Sequence, residues 1–180
     1  MAWKTPRDWT AYETPTAAIM NADLRDQLNA LSTHAHSGAA GDGSAFAGST
    51  WTSTWSASGT APSIGNGSLA GSYQQIGKLV IATFRFAPGT TTTFGTGQYS
   101  WSLPVTAQSA NVTAAYANVF DASFGTFGGG CHLTSTTAFS VWFDNAPAYP
   151  GAPSYVCGQT SPMTWVNGDY LEATLVYEAA

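Results

Sequence analysis

Tyr170-Leu171-Glu172-Ala173-Thr174-Leu175-Val176-Tyr177 is the stretch whose reading decides the fold. Successive side chains of an extended segment point to opposite faces. Leu171, Ala173, Leu175 and Tyr177 therefore share one side, and Tyr170, Glu172, Thr174 and Val176 the other. Working back from this strand, the sequence predicts others at Trp51–Ser58, Ser68–Ile76, Lys78–Ala87, Gln98–Leu103, Val112–Asp121, Phe124–Leu133, Ala138–Phe143 and Met163–Trp165. Turn clusters separate them: Ser58-Gly59-Thr60-Ala61-Pro62, Ile64-Gly65-Asn66-Gly67, Ala87-Pro88-Gly89, Gly128-Gly129-Gly130 and Val166-Asn167-Gly168-Asp169. Lys78–Ala87 reads as apolar on both faces, as a central strand between two layers would be. Short strands at regular intervals with no βαβ alternation predict a mainly β fold, a jelly-roll-like antiparallel β-sandwich over residues 50–180.

Composition agrees. Only 8% of the 180 residues are charged, about a third of the usual share, while 13% are aromatic, so the chain is not of the disordered class. The net charge is -5, and from Ser44 onward the only basic residues are Lys78 and Arg85. No nucleic-acid partner is expected of such a surface. No apolar run approaches the roughly 18 residues of a membrane span, so no membrane insertion is expected. Met1-Ala2-Trp3-Lys4 leads into polar residues, so no signal peptide is expected and folding is placed first in a cytoplasm. In that compartment Cys131 and Cys157 read as buried thiols, with a bridge formed later in an oxidising medium as the alternative.

Signals of catalysis are few. The chain lacks GxSxG, HExxH, a Walker loop, CxxC, and GxGxxG after a strand. Gly65-Asn66-Gly67 and Gly95-Thr96-Gly97 read as hairpin turns. Asp121, Asp144, Asp169 and Glu172 are the carboxylates from which a glycosidase pair could be drawn, but no spacing nominates two of them. Asp169 and Glu172 read as a solvated turn and the strand after it. No enzymatic activity is expected. His132, next to Cys131, reads as structural. Tyr149, Tyr155 and Trp165, with the Pro-rich loop Ala146–Pro153, are candidates for stacking on sugar rings, or else core or subunit contacts.

Upstream of residue 50 the character changes. Residues 1–15 form an arm carrying Trp3, Trp9 and Tyr12 with no period that would bury them in one element. Large aromatics on an arm anchor well in a partner surface, since each buries ~150–250 Å². Thr14-Pro15-Thr16 reads as a helix start, and residues 16–33 as the one helix segment. Its apolar stripe is Met20, Leu24, Leu28 and Leu31. A helix of about 15 residues is marginal alone, so the stripe needs cover, either the same helix of neighbouring chains or the chain's own β domain. Residues 34–49 hold His34 and His36 and then a small-residue linker. Two imidazoles on one extended face make a poor metal site, but three chains on a threefold axis would bring six together, enough for one octahedral transition-metal ion. Solvated loop histidines are the plainer alternative.

Three stretches together resemble one group of proteins. TPRDWTAYETPTAAIMNADLRDQLNAL, residues 5–31, is similar to the N-terminal segment of virion proteins of tailed phages, especially those infecting actinobacteria. THAHSG, residues 33–38, is similar to the HxH motif of trimeric phage tail fibres and spikes. GSLAGSYQQIGKLVIATFRF, the following GTTTTFGTGQYSWSLPV and the terminal WVNGDYLEATLVYEA resemble β-sandwich modules on such proteins. The resemblance implies a homotrimeric virion structural protein, as a tail fibre, minor tail protein, head fibre or capsid decoration protein. It would be anchored to capsid or tail proteins by its N-terminus and located on the virion surface, after assembly in the host cytoplasm. The β-sandwich would serve receptor binding, with host cell-surface glycan as the partner, or particle stabilisation. One iron ion per trimer would sit at His34 and His36. Metal-binding fibres often repeat HxH, whereas this chain has it once. The alternative is a stand-alone carbohydrate-binding module or depolymerase.

Overall fold

The computed structural model describes residues 11, 12, 14–21, 25, 28, 48–143 and 155–180. The chain divides into two compact units, Met1–Ala47 and Gly48–Ala180.

In the first unit, α1 spans Ala17–Met20. Its cap is Thr16, which is extended (φ -86°, ψ 160°) and whose Oγ1 accepts from the Ile19 N–H at 3.2 Å. The Thr16 carbonyl then accepts from the Met20 N–H at 3.0 Å, closing the first turn. The sequence TPT places the start within two residues. The second threonine is the cap because only its hydroxyl reaches the N3 amide, and Pro15 stands outside the helix. Leu28 is again helical, and Leu24 and Leu31 lie outside the described residues. Among the described residues of the stripe, Met20 is 40% and Leu28 64% exposed.

The second unit is one antiparallel sheet. Its strands are β1 (Ser49–Trp51), β2 (Trp55–Ala57), β3 (Ser68–Ile76), β4 (Leu79–Ala87), β5 (Tyr99–Ser102), β6 (Thr113–Asp121), β7 (Gly125–Leu133), β8 (Ala138–Phe143), β9 (Tyr155–Val156) and β10 (Tyr170–Glu178). The ladder runs β1-β3-β4-β10-β6-β7-β8-β5-β2, with β9 on β8. The mainly β antiparallel sandwich expected from the sequence is present, and its two layers are parts of a single curled sheet. The curl follows from the aromatic contacts. On the ladder β4 is separated from β8 and β5 by β10, β6 and β7, yet Phe84 of β4 meets Phe139 of β8 edge-on at 5.5 Å and Trp101 of β5 at 5.8 Å. Only a sheet folded over on itself brings those inner faces together. Val80, Ala82, Phe84 and Phe86 of β4 and Leu171, Ala173, Leu175 and Tyr177 of β10 fill the interior, the period-2 pattern that the terminal stretch announced.

Gly128-Gly129-Gly130 separates no strands but lies inside β7, and three further expectations need correction. Trp51–Ser58 is not one strand: β1 pairs with β3 and β2 with β5, at opposite ends of the ladder. The residues between cross from one end to the other, pinned by buried Ser53, whose hydroxyl donates to the Ser102 carbonyl at 2.9 Å. Trp51 and Trp55 thereby reach the core from both edges, Trp51 against Phe84 at 5.5 Å and Trp55 against Phe86 at 4.7 Å. Gly71 of β3 has no side chain because the Trp51 ring lies where a Cβ would stand. Second, β4 is not apolar-buried on both faces: Leu79, Ile81, Thr83 and Arg85 form an exposed outer row. Third, Met163–Trp165 is no strand, and the short pairing on β8 is made by β9 instead. Met163 and Trp165 are both buried in the core all the same.

Candidate functional site

The outer face of β3, β4, β10 and β6 carries an open groove of about 600 Å³. Cross-strand register builds it from residues distant in sequence. Ala70, Arg85, Glu172 and Asn118 form one row across four strands, and Ser72, Thr83 and Thr174 form the next. Hydroxyls line the second row, where Ser72 Oγ and Thr83 Oγ1 are 2.9 Å apart. In the first row Arg85 Nη1 donates to Glu172 Oε1 at 3.1 Å with both side chains half exposed. Such a pair adds little stability in water, but it leaves the groove without net charge. The Arg85 guanidinium also lies 4.4 Å above the Tyr170 ring, and Tyr170 stacks on Phe120 at 4.9 Å. The cation is thus held flat by an aromatic column at one end of the groove.

Tyr116 rises on the β6 side and is 60% exposed. Its position depends on two backbone features. The β6–β7 register slips between Thr113 and Ala115, and Ala115 takes φ 148°, a region that alanine rarely enters. Opposite Asn118 and Tyr116 stand Gly128 and Gly130. A Cβ on Gly128 would sit 2.8 Å from Tyr116 Oη. The phenol ring therefore lies down on a strand stripped of side chains, which leaves it accessible. Asn118 Oδ1 is buried beside it and accepts no hydrogen bond. A buried acceptor without a donor is costly, of the order of 1–3 kcal/mol, and here it borders the groove. A sheet face with hydroxyls, one amide, a neutralised ion pair and an accessible aromatic ring can hydrogen-bond a polar, uncharged molecule while covering its apolar side.

The residues singled out from the sequence are distributed elsewhere. Trp165 is not on the surface: it is 3% exposed, packs on Phe86 at 5.2 Å and donates its indole N–H to the Gly158 carbonyl at 2.9 Å. This corrects the sugar-stacking assignment, since neither ring face is free. Tyr155 is half-buried on β9, and Tyr149 lies outside the described residues, as do Trp3, Trp9, His34 and His36. Tyr12, the described aromatic of the arm, is fully exposed and sits at φ 67°. Asp169 is not solvated. It is 2% exposed, with Oδ1 accepting from the Ala122 N–H at 3.0 Å and Oδ2 from the Val166 N–H at 2.7 Å. Asp121, by contrast, caps its own turn. The Ser123 hydroxyl and N–H donate to its Oδ1 at 2.6 and 2.7 Å and hold the carboxyl below its usual value. His132 Nε2 lies 3.2 Å from Thr113 Oγ1, and its ring tilts against Trp142 at 5.4 Å.

Cys131 and Cys157 are buried free thiols. Burial pushes Cys131 up to about 12 and Cys157 well above its usual value. Gly65, Gly95 and Gly97 adopt positive φ in turns, and the Gly65 turn is sewn to the Thr90–Thr93 loop: the Thr91 N–H and hydroxyl both donate to Asn66 Oδ1 at 3.0 Å. These are structural turns rather than strand hairpins, because the ladder partners β2 and β3 with different strands. Among the described residues no three His, Cys, Asp or Glu side chains converge on one point.

The groove residues Arg85, Tyr116 and Asn118 were not singled out from the sequence. Parity alone placed Glu172 and Thr174 on the outer face of β10, and the same count on β4 would have found Thr83 and Arg85. Tyr116 and Asn118 alternate with buried Ala117 and Val119 beyond the slip, so the same count on β6 would have found them too. No protein-family model, no curated protein and no solved structure matches this chain.

Proposed function

We propose that this chain is a structural protein of a tailed-phage particle, a homotrimeric fibre or decoration protein. Residues 1–15 dock on capsid or tail proteins, residues 16–33 associate with two further copies, and the β unit is displayed outward for host-surface binding or for stabilising the particle. His34 and His36 of three copies would hold one transition-metal ion, iron by the resemblance. One observation carries the reading. The chain separates into a small N-terminal unit, whose described apolar residues Met20 and Leu28 stand exposed, and a β unit that closes its own core. An exposed apolar stripe on a short helix is unstable until a partner covers it. The resemblance of residues 33–38 to the HxH motif of trimeric fibres and spikes, beside that of residues 5–31 to N-terminal segments of tailed-phage virion proteins, supports threefold packing as that cover. Sedimentation of the full chain tests this. A species of three copies that falls apart in Leu28→Asp is expected. A single-copy species at all concentrations would overturn the reading and favour the stand-alone carbohydrate-binding module.

A further inference from the structure

We propose that the outer-face groove is a binding site for a neutral saccharide, with Tyr116 as the ring platform and Asn118, Glu172 and Arg85 as the polar contacts. This deepens the display role proposed above and rests on that reading only for its biological setting. Four observations converge on the ligand class. The volume, about 600 Å³, lies within the ~300–1,000 Å³ typical of small-molecule sites. Asn118 stands in the lining and offers its amide, whose N–H can donate to a sugar hydroxyl. Hydroxyl and carboxylate groups on Ser72, Thr83, Thr174 and Glu172 offer further partners along the same floor. Tyr116, laid on Gly128 by the slip at Ala115, offers a ring to the C–H face of a pyranose.

Charge then selects within that class. Residues 48–180 carry Lys78 and Arg85 against Asp121, Asp144, Asp169, Glu172 and Glu178, and Arg85 is already paired to Glu172. An acidic glycan would find no free cation in the groove and would meet a surplus of negative charge. Nucleic acid is disfavoured for the same reason. A neutral sugar pays neither penalty.

The test uses the full-length chain on an immobilised panel of trisaccharides. Neutral hexose and N-acetylhexosamine members are printed beside uronic-acid and sialylated ones, and the native mass is measured on the same sample. Retention of neutral members is expected, with affinity falling about tenfold or more in both Tyr116→Ala and Asn118→Ala, the scale of losing one ring contact or one hydrogen bond. Tyr116→Phe keeps the ring and should stay near wild type, as should Phe124→Ala, an exposed aromatic in the β6–β7 turn. Tyr116 is exposed, so its alanine variant folds and decides the matter even if Asn118→Ala does not. Retention of acidic members alone, no retention at all, or retention indifferent to Tyr116 would overturn the site. So would dissociation of the oligomer by Tyr116→Ala, which would make the groove a contact between copies. A trimer that binds no saccharide sinks this inference and leaves the virion reading standing; a monomer that binds does the reverse.

Discussion

Replacing Asp169 should damage this protein far more than its place in a polar turn suggests. The carboxylate is buried and ties two loops together: the β6–β7 turn through the Ala122 N–H, and the turn before β10 through the Val166 N–H. Asp169→Ala removes both acceptors at once. Each orphaned, buried donor costs of the order of 1–3 kcal/mol. Both sites are part-buried and admit some water, so the lower half of the range applies, about 2–4 kcal/mol in all. That is a large share of the roughly 5–15 kcal/mol that holds a domain. Asp169→Asn keeps one oxygen but turns an NH₂ toward the other N–H, and should cost about 1–3 kcal/mol. Equilibrium urea unfolding measures this from the shift in midpoint at constant slope. Asp121→Ala is the control: its carboxylate serves a local surface turn, and the loss should stay below about 1 kcal/mol. An Asp169→Ala variant within about 0.5 kcal/mol of wild type would refute the argument. Because Asp169 sets the entry to β10, the Glu172 wall of the groove depends on it as well.

Phe84→Ala should destabilise by about 3–5 kcal/mol in the same assay, since the ring touches Trp51, Trp101 and Phe139 across two layers; a loss under about 1 kcal/mol would mean that the sheet does not fold over. Neither thiol should react with a disulfide reagent at pH 8 in the native protein, because burial keeps both protonated far above that pH, and both should react in denaturant. Rapid native labelling of Cys131 would contradict this. His34→Ala combined with His36→Ala should loosen the proposed trimer and abolish the metal content that elemental analysis is expected to give for wild type, and a wild-type protein carrying far less than one ion per three chains would end the metal proposal.

Much of the β unit was legible from local signals. Ser68–Ile76 reads to the residue because Gly67 and Gly77 bracket it, and Gly77 supplies the positive φ of the two-residue hairpin to β4. Ala138–Phe143 and the parity of β10 were equally local. What failed depended on distant partners. Nothing near Thr52–Thr54 says that β1 and β2 pair at opposite ends of the ladder. Nothing beside Asp169 says that the Ala122 amide, 47 positions earlier, will reach it. Trp165 looks like a surface aromatic because its loop is polar, yet the Gly158 carbonyl satisfies its indole and lets it sink. The groove was hidden for the same reason: Arg85 and Glu172 stand 87 positions apart and meet through register alone.

The proposed virion role is tested most directly by cryo-electron microscopy of particles assembled in cells that express this chain. The account predicts three copies around a threefold axis on capsid or tail, N-terminal arms inward and β units outward. Particles lacking the chain, or bearing it as isolated single copies, would contradict it.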